Sequence, residues 1–204
     1  MEVRRLSSAG LEGHLAGIAS VHAAAYDSDH FTSRFTAEKL RCFNRLLIEH
    51  ADFAACALSD DDVSGFVIAG PNVSAGVDAF VRMNRMYLLA LLLRDPGELL
   101  TKLGVVLRRG ASAWRPRQRA AGHSIASYRL LSIAVAPTAQ GKGVGQRLLA
   151  ALEEHLVSSR VSAYGLSVRN TNVTAIRFYE RSGFVCEREG RSTSYYRKDV
   201  GLDG

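Results

Sequence analysis

The sequence predicts a single α/β domain, a mixed β-sheet with helices on its faces. Three observations predict it. The 204 residues are 47% hydrophobic and 23% charged, ordinary values for one globular domain that buries a real core. Short β-type runs are interleaved with longer segments of helical periodicity. From residue 129 onward the order reads β-α-β-α-β-β, the pattern of a sheet covered by helices.

The first half is read in the same way. Residues 3–6 form a short strand. Over residues 11–26, Leu11, Leu15, Ile18, Val21, His22 and Ala25 recur at helical spacing. A second helix spans 36–50, with Thr36 as N-cap and Leu40, Phe43, Leu47 and Ile48 on its buried face. Strands at 53–58 and 63–69 are joined by the acidic turn Ser59-Asp60-Asp61-Asp62 and read as a hairpin.

Residues 73–127 break the rhythm. Residues 80–93 look helical. Asp95-Pro96-Gly97-Glu98 reads as the start of a further helix, with Asp95 as N-cap and Glu98 closing a capping box. Its apolar side is Leu99, Leu100, Leu103, Val106 and Leu107. A polar loop follows, with Arg115, Arg117 and Arg119. This stretch holds nine basic residues against three acidic ones, so it carries the whole net charge of +6. Such a patch suits an anionic ligand or surface. Nucleic acid is disfavoured, because the loop with Arg115, Arg117 and Arg119 has no interleaved aromatics apart from Trp114.

Beyond it the elements are a strand at 129–135, a helix at 143–157, a strand at 163–168, a helix at 172–181, and strands at 184–188 and 193–197. Cys42, Cys56 and Cys186 are dispersed among apolar neighbours without metal-ligand spacing, so reduced thiols and no metal site are expected. The N-terminal residues run into a polar stretch rather than an apolar one, so no secretory leader is expected. The longest apolar run, residues 86–93, is short of the roughly 20 residues a membrane span needs. A soluble, cytoplasmic protein is the expectation. Contact with an anionic membrane surface is a secondary one, with 86–93 and 99–107 as the apolar faces. The oligomeric state is left open, a homodimer included.

The chemistry concentrates in one segment. The apolar strand ending at Ile133-Ala134-Val135 runs into Gln140-Gly141-Lys142-Gly143-Val144-Gly145, which opens a helix. Glycines let backbone N–H groups approach a ligand closely. The first helical turn adds unpaired N–H groups and the positive end of the dipole, a natural pyrophosphate site. A turn that merely reverses the chain is the alternative. A Walker loop is excluded, because Lys142 is followed by Gly143 rather than Ser or Thr. A dinucleotide fingerprint is excluded by the G-x-G-x-G spacing and by Val168-Arg169-Asn170, where no acid ends the next strand.

These residues resemble the GNAT superfamily of acetyltransferases. Residues 140–145 match that family's phosphate loop, Q/R-x-x-G-x-G/A. Residues 172–184 match a second signature, N-x-x-A-x-x-F-Y-x-x-x-G-F. The close resemblance covers about 128–198, and residues 3–69 follow the family's element order more loosely. The resemblance implies a mixed, mostly antiparallel central sheet flanked by helices, with 73–127 a basic, largely helical insertion between the third and fourth strands. It implies acetyl-CoA as co-substrate and a small-molecule amine acceptor, with an anionic amino sugar or sugar nucleotide suited to the insertion. A peptide or protein amine, or a non-catalytic acyl-CoA-binding protein, are the alternatives.

Roles follow from the same resemblance. Ile133, Ala134 and Val135 would hydrogen-bond the pantetheine arm through their backbone. Gln140, Gly141, Lys142, Gly143, Val144 and Gly145 would cradle the pyrophosphate. Asn172 would contact pantetheine, a job compatible with capping the helix behind it. Tyr179 would protonate the leaving thiolate, with packing against Phe178 and Phe184 as its plain structural alternative.

Amine attack also needs a proton acceptor, since an alkylammonium has a pKa near ~10. Family members often carry a carboxylate on the strand before the phosphate loop, and Tyr128-Arg129-Leu130-Leu131-Ser132 has none. The base is therefore unassigned, with Asp29, His30, Glu38 and His123 as candidates.

Overall fold

A computed structural model describes residues 1–7, 10–26, 30–72, 74–94 and 126–201. The strands are β1 (Glu2–Arg5), β2 (Phe53–Ser59), β3 (Asp62–Gly70), β4 (Tyr128–Val135), β5 (Ala163–Arg169), β6 (Val185–Arg188) and β7 (Thr193–Asp199). The helices are α1 (Leu11–Ala25), α2 (Ala37–Glu49), α3 (Ser74–Met83), α4 (Arg85–Arg94), α5 (Val144–Ser158) and α6 (Val173–Arg181). The strands form one seven-stranded sheet in the order β1-β2-β3-β4-β5-β7-β6. Every neighbouring pair is antiparallel except β4–β5.

Both faces of the sheet are covered. On one, Ile18 of α1, Phe43 of α2 and Phe80 of α3 pack on Phe66 and Ile68 of β3. On the other, Leu148, Leu152 and Leu156 of α5 pack on Val67 of β3 and Tyr164 and Leu166 of β5, with Phe184 beside them. Alternate residues of β3 feed opposite cores, as a strand buried on both faces requires. The β2–β3 turn places Asp60 and Asp61 at positive φ (50° and 67°), which acidic and amide residues tolerate better than most.

Local signals are used as expected. The Thr36 hydroxyl accepts from Lys39 N–H at 3.3 Å and caps α2. Cys56 is fully buried, whereas Cys42 and Cys186 are only half-buried.

One expectation is corrected. The helix anticipated at 80–93 is two helices that break at Asn84, the first starting earlier, at Ser74. The Asn84 side chain donates to Phe80 O at 3.1 Å and accepts from Lys39 Nζ at 2.9 Å. A side chain that takes a backbone carbonyl and anchors to α2 competes with continuation of the helix. Helix α4 leaves Met86, Leu89 and Leu93 exposed. The helix and loop expected from 95 to 125 lie outside the described residues. No helix among the described residues is long and apolar enough to cross a membrane.

Candidate active site

The feature that builds a site is the parting of β4 from β5. They pair in parallel only at Tyr128 with Tyr164 and Arg129 with Gly165. Beyond that point β4 keeps β3 as its neighbour, with Ile133, Ala134 and Val135 opposite Val67, Phe66 and Gly65. Loss of pairing beyond that point leaves a wedge between β4 and β5 on the side of their C-terminal ends. The opposite edge of Ile133, Ala134 and Val135 borders that wedge.

The glycine turn stands at the mouth of the wedge. Gly141 and Gly143 adopt φ of +75° and +76°, and no atom lies within 4 Å of where a Cβ would be at either position. Positive φ explains glycine, and the open space shows that the turn leaves room for a ligand. The first N–H to bond back into α5 is Arg147, to Gly143 O at 3.1 Å. The N–H groups of Val144, Gly145 and Gln146 thus have no helical partner, at the positive end of the helix dipole. Lys142 and Gln140 are exposed. The Gln140 amide reaches back to Val135 O at 3.5 Å. These residues fit a pyrophosphate by backbone donors rather than by buried charge.

Helix α6 packs beside the turn, with Phe178 against Gly145. Asn172 Oδ1 accepts from Ala175 N–H at 3.1 Å, so the capping job is real. Tyr179 is half-buried, with ring centroids 5.4 Å from Phe178 and 5.5 Å from Phe184. Burial pushes its phenol well above the ordinary tyrosine value, and the Tyr26 phenol raises it further. Tyr179 is therefore protonated at neutral pH, and Tyr26 acts on it electrostatically.

Tyr26 introduces residues that sequence reasoning missed. From the end of α1 its Oη lies 2.7 Å from Ser132 Oγ on β4. Burial raises the Tyr26 phenol, and the Ser132 contact opposes that. His22, one turn back on α1, is buried, with Nδ1 2.9 Å from Asn44 Oδ1 and Nε2 2.9 Å from Thr32 Oγ1. His30 Nδ1 lies 2.8 Å from the same Thr32 Oγ1, and its ring centroid is 4.3 Å from that of Tyr26. A cavity of about 250 Å³ adjoins this group, lined by His22, Tyr26, Thr32, Phe35 and Leu40 among others. In the sequence His22 reads only as part of a buried helical face. No spacing rule links it to Thr32 or Asn44.

Of the candidate bases, the structure brings His30 beside Tyr26 and leaves Glu38 exposed in the first turn of α2. Asp29 and His123 lie outside the described residues. On β4, where a carboxylate is often found, Arg129 is buried instead. Desolvation lowers its pKa to about 10 against the pull of Glu187. Among the described residues no three His, Cys, Asp or Glu side chains gather as a metal site.

Comparison with known proteins agrees with this geometry. Residues 111–184 match the model of the Acetyltransferase (GNAT) family. No curated protein matches the chain. Among solved structures, one described as SsHAT superposes with a TM-score of 0.65 at 20% identity, covering 98% of each chain. The ribosomal-protein-S18-alanine N-acetyltransferase of Escherichia coli gives 0.53 at 16% identity, covering 100% of this chain and 96% of that one. The PaiA N-acetyltransferase of Thermoplasma acidophilum, solved in complex with coenzyme A, gives 0.54 at 17% identity, covering 97% and 98%. At such identities the structures share the fold. The family match takes in the phosphate turn and α6, the two segments that carry the resemblance to the GNAT acetyltransferases.

Proposed function

We propose that acetyl-CoA lies in the wedge between β4 and β5 and that its acetyl group passes directly to a primary amine. The observation that carries this reading is the separation of β4 from β5 beyond Arg129, with the open Gly141–Gly143 turn at its mouth. The edge of Ile133, Ala134 and Val135 would pair with the pantetheine amides as an added strand does. The N–H groups at 143–145, with Gln140, Gly141 and Lys142 around them, would hold the pyrophosphate. Asn172 caps α6 with Oδ1 and keeps Nδ2 for the pantetheine.

Acetyl-CoA supplies the activated acyl group, and the chain's own residues manage position and protons. Tyr179 holds a proton that it can give to the departing sulfur, because burial keeps the phenol neutral. The surroundings of Tyr26, Ser132 and His30 lie on the α1–α2 side of the sheet, where the amine would approach.

For the acceptor we propose a small amine that carries an anionic group, such as an amino-sugar phosphate. The support is the concentration of the +6 charge between 73 and 127. The experiment incubates the protein with acetyl-CoA and a panel of glucosamine 1-phosphate, glucosamine and a peptide with N-terminal alanine, following free thiol and product mass. Preference for the phosphorylated amine is expected. It should weaken with salt and when Arg115, Arg117 and Arg119 are changed together to Gln. Preference for the peptide would overturn the acceptor assignment while leaving acetyl transfer intact.

A further inference from the structure

The glycines of the phosphate turn are not alike. Gly141 and Gly143 sit at positive φ with nothing within 4 Å of a Cβ, so the backbone itself asks for glycine there. Gly145 has no positive φ and stands in the first turn of α5, where alanine is the better helix former. A side chain would leave its N–H in place for a pyrophosphate. What glycine supplies at this position is room. A Cβ at Gly145 would lie 3.0 Å from Phe178 Cζ and 3.2 Å from Phe178 Cε2, inside the roughly 3.5–4.0 Å of ordinary carbon contact. It would meet Val135 Cγ2 at 3.8 Å, an ordinary distance. The space a side chain would need is thus taken by the ring of Phe178.

That contact matters because of where Phe178 stands in the chain. It precedes Tyr179 on α6, and the two ring centroids are 5.4 Å apart. No residue of α6 is fully buried, so the helix is held by point contacts rather than by a deep apolar face. Phe178 on Gly145 is one of them. Tyr179 against Phe184, with centroids 5.5 Å apart, and Glu180 Oε1, which accepts from Tyr196 Oη at 3.2 Å, are others. The edge of an aromatic ring does not compress. A side chain at 145 must turn that ring or push α6 away from α5, and Tyr179 moves with it. We propose that Gly145 is a positioning residue for Tyr179, its bare backbone seating Phe178 and so fixing where the phenol stands relative to the turn that would hold the pyrophosphate.

The proposal rests on the acetyl-transfer reading above, in which Tyr179 gives its proton to the departing sulfur. Within that reading the N–H of Gly145 serves the cofactor and its missing Cβ serves the acid. The pyrophosphate and the sulfur lie at opposite ends of the pantetheine arm. A contact that ties α6 to the first turn of α5 therefore sets the phenol to the length of that arm. Burial raises the Tyr179 phenol and the Tyr26 phenol of α1 raises it further, while Tyr164 of β5 is the other described phenol coupled to it. Displacing the ring from this setting relieves both effects, so the displaced phenol titrates at lower pH than the seated one.

The test has three readouts on the full chain. Melting curves of Gly145→Ala, Phe178→Ala and the double variant form a cycle. Alanine at 145 should lower Tm in the wild-type background and raise it in the Phe178→Ala background, as at an open helical site. In protein labelled with ¹³Cζ-tyrosine, the Tyr179 resonance, assigned by its loss in Tyr179→Phe, should begin to shift at lower pH in Gly145→Ala than in wild type. For activity, thiol release from acetyl-CoA is followed with glucosamine 1-phosphate and with the alanine peptide, using whichever is turned over. Gly145→Ala should lower kcat by roughly three- to tenfold and Gly145→Val by roughly a hundredfold, the scale of a misplacement of about 1 Å. The Kd for CoA should change by less than kcat does. A loss of CoA affinity that accounts for the whole fall in kcat/KM overturns the proposal alone, because the missing Cβ then serves the pyrophosphate. A Gly145→Ala variant that matches wild type in rate and in tyrosine titration overturns it as well. A wild type that releases no thiol with any amine overturns the acetyl-transfer reading and the proposal together.

Discussion

Tyr26 Oη and Ser132 Oγ lie 2.7 Å apart across 106 residues of sequence, tying the end of α1 to the strand that borders the wedge. Ser132 is buried, so removing its partner leaves an unsatisfied hydroxyl. Tyr26→Phe should destabilise the fold by about 1–3 kcal/mol. It should also lower kcat/KM for the amine while sparing the Kd for CoA, since α1 faces the acceptor side. Chemical denaturation and steady-state kinetics on the same variant check both.

Tyr179→Phe keeps the ring contacts with Phe178 and Phe184 and removes the proton donor. Turnover should fall roughly ten- to thousandfold with little change in CoA affinity. The sign of the pKa shift adds a second expectation. A phenol raised above its ordinary value stays protonated up to and beyond pH 10, so Tyr179 should cause no alkaline loss of activity below that pH. A wild-type alkaline limb below pH 10 that disappears in Tyr179→Phe would contradict this.

Much of this site was legible in the sequence, and the reasons are local. The turn at 140–145 and the segment 172–184 each pack their signals into a few residues. The N-caps of the two helices fall at Gly143 and Asn172. The β4 wedge could be foreseen only through the resemblance, because where two parallel strands stop pairing is a property of the whole sheet. The Asn44–His22–Thr32–His30 chain was not legible at all. It joins three elements, and each member has an ordinary local excuse: His22 on an apolar helical face, Asn44 inside a helix, Thr32 in a turn. The break at Asn84 was missed because one amide inside an apolar run looks tolerable until its tie to Lys39 is seen.

On the opposite face, Asp52 accepts from Tyr128 Oη at 2.8 Å and contacts His155 Nε2 at 2.7 Å. The His155 hydrogen bond, helped by Tyr128, holds the Asp52 carboxyl below its ordinary value, against partial desolvation. A depressed folded pKa means the contribution is complete above the unfolded value, about 3.9, and is lost as pH falls through the folded one. Wild type should therefore melt higher than Asp52→Asn from pH 7 down to about 4, and the gap should close below that. Melting curves across the range would contradict the assignment if the gap were constant or widened in acid.

The central claim is that the Gly141–Gly143 turn and the β4 wedge hold acetyl-CoA, and thermal stability with and without that ligand tests it most directly. At a hundredfold excess over its dissociation constant, acetyl-CoA should stabilise wild type by about 3 kcal/mol, seen as a rise in Tm. Gly143→Asp sets a side chain and a negative charge at a left-handed position where the pyrophosphate would lie, and the rise should vanish. To separate strain from lost binding, Gly143→Asn, equally bulky but uncharged, should keep part of it. A wild type whose Tm does not move with acetyl-CoA, or a Gly143→Asp variant that responds like wild type, would contradict the account.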